Sequence, residues 1–220
     1  MHTSPQTRID ELTAQGLWGS ETLHGLLADR AAAEPDRLAV ADQPNRIELT
    51  GEPARRLSFR ELDEASDTLA AALLSRGIGT GSRVMAQLPN IAELVVCYYA
   101  LSKLGAIISP VPVQYGSHEL SSLAAALEPD ALISIVQFRD QALAEQAAQT
   151  LRDIPVLAFG RELGLEASSA DAAARAQLTQ LRRELADDAN RIITICWTSG
   201  TTGTPKGVPR SHNMWMATAR

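Results

Sequence analysis

Between Val84 and Trp197 short apolar runs alternate with stretches of helix length, and this rhythm constrains the chain more than any other feature. Val84–Leu88, Ala106–Ser109, Ala131–Val136, Val156–Phe159 and Arg191–Trp197 are strand-length and largely apolar. Ile91–Leu104, the stretch from Ser117 to just before Pro129, Gln141–Leu151 and Ala172–Ala186 carry helical spacing between them. Strands joined by such crossovers lie parallel in one sheet. The expected fold class is therefore α/β, a layered, largely parallel sheet flanked by helices. Upstream, Thr22–Glu34 reads as a helix that Ser20 could cap, Leu38–Ala41 as a strand, and 45–56 as an irregular hairpin around Ile47 and Leu49. Ser58-Phe59-Arg60-Glu61 is a capping box that opens a long helix ending at Gly77. Strand order does not follow from the pattern.

Composition narrows the function classes. The 220 residues make one domain, or one and part of another, and 45% hydrophobic with 21% charged residues is an ordinary globular balance. A net charge of −6 argues against a broad nucleic-acid surface. No apolar run reaches the roughly 18 residues of a membrane span, and the first residues lack the apolar core of a signal peptide. Cys97 and Cys196 sit among apolar residues and read as buried reduced thiols, which fits a cytoplasmic chain. His2, His24 and His118 show no metal-ligand spacing, so no metal ligands are assigned.

One loop carries chemistry. Residues 198–208 read TSGTTGTPKGV and follow the last strand directly. Gly200, Gly203 and Gly207 let backbone N–H groups approach an anion closely. Thr198, Ser199, Thr201, Thr202 and Thr204 bring hydroxyls. Of 20 basic residues only Lys103 and Lys206 are lysine, so each asks for a reason. Lys206 supplies a compact cation on a flexible stem, suited to phosphate oxygens. Lys103, in a helix before Gly105, is expected to meet solvent. A Walker A loop is excluded because Gly207, not Ser or Thr, follows the lysine. Trp197 reads as a core aromatic. His212 reads as a helix-start histidine with a local hydrogen bond, or as support for the loop. Ser211 opens a helix that has no stop signal before Arg220, so the chain is expected to continue in a larger domain.

The loop resembles, almost letter for letter, the signature loop of the adenylate-forming superfamily, which includes AMP-forming acyl-CoA synthetases and peptide-synthetase adenylation domains. Leu57–Leu62, Gly81–Asn90, Tyr99–Ala106 with Pro110, and His118–Leu120 with Glu128-Pro129 agree with it. The resemblance covers only the N-terminal part of a family member. It suggests an extension over residues 1–19 and an incomplete AMP-binding domain over 20–220.

The resemblance implies an acid–CoA ligase that uses ATP and Mg2+ to convert a carboxylic acid to acyl-AMP and passes the acyl group to coenzyme A. Two alternatives stand beside it: an aryl- or amino-acid adenylating enzyme that loads carrier-protein pantetheine, and a non-catalytic nucleotide-binding remnant. Thr198, Ser199, Gly200, Thr201, Thr202, Gly203, Thr204, Lys206 and Gly207 would hold the β- and γ-phosphates, with Lys206 neutralising charge. The remaining site residues of the family lie beyond Arg220, so this chain alone is expected to be inactive. A truncated sheet would leave apolar faces open, so self-association is expected too.

Overall fold

The computed structural model describes residues 2–166, 172–185, 188–198 and 205–219. The chain opens with α1 (Gln6–Ala14) and α2 (Leu23–Ala33). A small antiparallel pair, β1 (Leu38–Ala41) and β2 (Arg56–Ser58), brackets the short helix α3 (Arg46–Thr50). There follow α4 (Phe59–Leu74), β3 (Arg83–Ala86), α5 (Ala92–Leu104), β4 (Ile107–Pro110) and α6 (Ser117–Leu127). The chain continues with β5 (Ala131–Ile135), α7 (Leu143–Thr150), β6 (Val156–Phe159) and α8 (Ala172–Glu184). It closes with β7 (Ile192–Thr198), β8 (Lys206–Ser211) and α9 (His212–Ala219).

The main sheet runs β6-β5-β3-β4-β7-β8; the first five strands are parallel and β8 is antiparallel to β7. Successive side chains of a strand point to opposite faces. Val84 and Ala86 accordingly pack with α2, α4, α5 and α8, while Met85 packs with α6 and α7. Ile133 and Leu132 divide the same way. Both faces of the central strands are covered, which is why they read as unbroken apolar runs. The expected α/β architecture is the observed one.

Local signals explain several boundaries. Ser58 accepts from the Glu61 N–H and Glu61 accepts from the Ser58 N–H, so α4 starts on the capping box read in the sequence. Thr22, not Ser20, caps α2, accepting from the Gly25 N–H at 3.1 Å. Gly105 has φ +66° and ends α5, letting the Ala106 N–H return to Leu101 O at 2.9 Å.

Three expectations are corrected. The 45–56 stretch is not a hairpin in itself: Asn45 and Gly51 flank the one-and-a-half-turn α3. That helix forms because Arg46 is buried between Asp42 and Glu93, bonding Glu93 through both guanidinium ends at 2.8 and 2.6 Å. Lys103 does not meet solvent; its side chain is 0% exposed and its ammonium donates to Asp63 O, Asp63 Oδ1 and Asp67 Oδ1 at 2.9, 2.7 and 2.7 Å. Cys97 is buried as expected, but Cys196 is half-buried.

Candidate functional site

The sequence loop begins where β7 ends, at the carboxyl edge of the parallel strands, where α/β sheets place ligands. Ile192, Ile193 and Thr194 are buried, which seats β7 firmly beside β4. Two indoles hold it from opposite faces. Trp215 Nε1 donates to Thr194 Oγ1 at 3.0 Å, and the Trp215 ring meets Tyr98 edge-on at 5.9 Å. Trp197 Nε1 donates to Ser109 Oγ at 2.8 Å, and Ser109 Oγ donates to Ile195 O at 3.0 Å. Trp197 is thus not sealed in the core. It is half-buried and forms part of the wall of two cavities. One, of about 310 Å³, opens at the carboxyl ends of β3, β4 and β7 beside Asn90, Tyr115 and Cys196. The other, of about 710 Å³, lies against Ile107, Ile195, Gly207 and Pro209.

The sequence did not announce β8. Lys206 is its first residue and pairs with Thr198; Gly207 pairs with Trp197. Thr198 Oγ1 donates to Lys206 O at 3.4 Å. Thr198, Lys206 and Gly207 are exposed, so their polar groups face solvent at the sheet's edge. The structure therefore brings Thr198, Lys206 and Gly207 together on the two arms of one hairpin. Ser199, Gly200, Thr201, Thr202, Gly203 and Thr204 lie outside the described residues.

The bond that His212 makes to the start of α2 is a long-range one. The histidine is buried, and its Nδ1 accepts from the Leu23 N–H at 3.0 Å, 189 residues away. Its ring meets that of His24 edge-on at 5.9 Å, and His24 Nδ1 lies 2.9 Å from Ser102 Oγ. Asn213 adds a second tie: Nδ2 donates to Gly19 O at 3.1 Å and to Asn190 Oδ1 at 3.0 Å, while Oδ1 accepts from the Gly19 N–H at 2.9 Å. The start of α9 is thereby stitched to the start of α2.

Ser109, Trp215 and Asn213 escaped the sequence reading. Ser109 alone left a trace, as a lone hydroxyl in the apolar run Ile107-Ile108-Ser109. Burial pushes the Tyr98 phenol up to about 12 and raises the Cys97 thiol further, so neither ionises near neutrality. Among the described residues no group of three or more His, Cys, Asp or Glu could hold a metal ion. No helix among them is long and apolar enough to cross a membrane.

Comparison with known proteins agrees with the geometry. The salicyl-AMP ligase / salicyl-S-ArCP synthetase of Mycobacterium tuberculosis is 32% identical over 98% of this chain and 37% of its own length. The medium-chain fatty-acid–CoA ligase of Escherichia coli is 27% identical over 94% of this chain and 36% of its own length. The chain thus spans little more than a third of the length of each of these two relatives. The apo structure of Mycobacterium smegmatis MbtA superposes with a TM-score of 0.73 at 29% identity, covering 97% of this chain and 38% of MbtA. The profile described as AMP-binding enzyme matches residues 27–220, and the chain belongs to that family.

Proposed function

We propose that this chain is the N-terminal part of an enzyme that activates a carboxylic acid with ATP and transfers it to a thiol. The carboxylate attacks the α-phosphorus, the bond to the bridging oxygen of pyrophosphate breaks, and acyl-AMP forms. A thiol then displaces AMP from the acyl carbon. The observation that carries this reading is the β7–β8 hairpin, which presents Thr198 and Lys206 at the carboxyl edge of the sheet within a family match that runs to residue 220.

Catalysis of the first step is positioning plus neutralisation of phosphate charge. In this reading Lys206 neutralises charge on the β- and γ-phosphates as pyrophosphate leaves. Thr198 and Gly207 line the same cradle, together with Ser199, Gly200, Thr201, Thr202, Gly203 and Thr204. Magnesium would come with the triphosphate as its counter-ion, since no residue of this chain is assigned as a metal ligand. Residues 1–19 precede the AMP-binding domain proper, which begins near residue 20.

The acid is of the aryl class and the acceptor is a carrier-protein pantetheine. The relative at 32% identity, whose name gives both a salicyl group and a carrier-protein product, supports this. The second reading, an acid–CoA ligase, is supported by the fatty-acid–CoA ligase at 27%.

The test is ATP–pyrophosphate exchange by the native-length protein against a panel of aryl, amino and aliphatic acids. Thioester formation with coenzyme A or a pantetheinylated carrier follows. Exchange with aryl acids and thioester on the carrier alone is the expected result. Thioester on coenzyme A favours the second reading, and no exchange with any acid refutes both. Lys206→Ala should lower exchange by roughly 10²–10³, the effect of losing one preorganised charge. Wild-type exchange in that variant would remove Lys206 from the site.

A further inference from the structure

We propose that Trp197 is a positioning residue for Lys206: its indole, held by Ser109, sets the register of the β7–β8 hairpin. The proposal rests on the reading of Lys206 given above.

Among the described residues β8 is an edge strand with β7 as its one neighbour in the sheet. A ladder alone fixes register weakly. A slip of one residue turns every side chain to the other face, and a slip of two keeps the faces but moves each residue by about 7 Å. Either slip would carry Lys206 away from its place opposite Thr198.

The contacts at Gly207 bias the ladder toward one register. Gly207 lies opposite Trp197. A Cβ added there would stand 3.0 Å from Ile195 Cγ2 and 3.4 and 3.5 Å from indole Cζ3 and Cη2. The backbone of β8 therefore rests against the Ile195 side chain and the indole, where a Cβ would be in ordinary contact with the ring and would push Ile195 aside by a few tenths of an ångström. A slip of one residue would bring Lys206 or Val208 to that point, and a slip of two would bring Pro205 or Pro209. Each of the four carries a Cβ that would press on Ile195 Cγ2 and touch the indole. The observed register is the one that spares Ile195 this crowding.

The indole works as a gauge only if it is itself fixed. Ser109 does this from β4, the next strand inward. It is 0% exposed, its Oγ accepts the indole N–H at 2.8 Å, and it donates to Ile195 O at 3.0 Å. Lys206 and Thr198, which flank the Gly207–Trp197 pair, thus take their places from the centre of the sheet.

The test uses native-length protein carrying Ser109→Ala, Trp197→Phe, both together, or Gly207→Ala. The first readout needs no nucleotide: hydrogen exchange of the Val208 and Arg210 amides against those of β3 and β5. The expected result is about tenfold loss of β8 protection in each single variant, with β3 and β5 unchanged. The Ser109/Trp197 double variant should be no worse than its worse single, because both act through one hydrogen bond. The second readout is pyrophosphate exchange, where the KM for ATP should rise about tenfold. Mere loss of folded protein would lower kcat at constant KM. β8 protection that stays at the wild-type level in both Ser109→Ala and Trp197→Phe overturns the proposal. So does lost protection with an unchanged KM for ATP. Should the wild type exchange with no acid, the assigned reaction falls, while the hydrogen-exchange readout still judges the register.

Discussion

Arg46 and Lys103 are both cations shut away from water, and their partners decide how much each matters. Lys103 has three N–H groups and three acceptors around them, an arrangement that suits an ammonium and has no use for a planar guanidinium. That is why lysine stands here in a chain that otherwise writes arginine. The rarity of lysine was legible in the sequence; the burial was not, because Asp63 and Asp67 are spaced four apart on another helix. The carboxylates of Asp63 and Asp67 are 26% and 37% exposed, so water can replace part of what Lys103→Met removes. Those of Asp42 and Glu93 are 1% and 3% exposed. Arg46→Met would leave them as buried charges, with the half-exposed Arg55 guanidinium beside Glu93 and the Arg55 and Ala92 N–H groups on Asp42. We expect Arg46→Met to cost about 3–5 kcal/mol in urea unfolding, and Lys103→Met distinctly less. The reverse order would show that solvent access to the carboxylates does not set the cost.

Elements were legible where one local signal dominated. The Ser58–Glu61 box marks the start of α4 in the letters and in the structure, and Ser58→Ala should cost about 1 kcal/mol. The Glu61 carboxyl is held below the usual range chiefly by the Ser58 backbone N–H, and also by its side chain. A depressed carboxylate adds stability above its unfolded pKa and loses it as pH falls through the folded value. Glu61→Gln should therefore be less stable than the wild type at neutral pH. The gap should close on acidification below about pH 4, the ordinary glutamate range. Equal stability at neutral pH, by thermal melts, would contradict the cap's electrostatic part. β8 was hidden for the opposite reason. Lys206–Ser211 contains a glycine and a proline, which normally argue against a strand. Both are tolerated at an edge, and here the glycine packs against the Ile195 side chain and the indole opposite. The Thr198–Lys206 pairing was illegible for the same reason: it comes from the ladder and not from spacing along the chain.

At the scale of the whole molecule, helices cover one face of the described sheet unevenly. α6 and α7 cover β3, β5 and β6, but beyond α6 the face of β4, β7 and β8 carries the 710 Å³ cavity against Ile107, Ile195, Trp197 and Pro209. Alongside it, β8 offers an outer edge that no described strand pairs, with Val208 38% exposed. An apolar face beside an open edge is the combination that other chains pair with. The 220-residue chain produced by itself should therefore show an apparent mass that rises with concentration in light scattering. The edge and the face can be separated, because Val208 lies opposite Cys196 and so points away from Trp197. A lysine on an edge strand blocks pairing without touching the other face. Val208→Lys should suppress the association if the edge drives it and leave it intact if the apolar face does. A chain that stays monomeric at every concentration would mean that the Ile107–Trp197 face is stable in water as it stands.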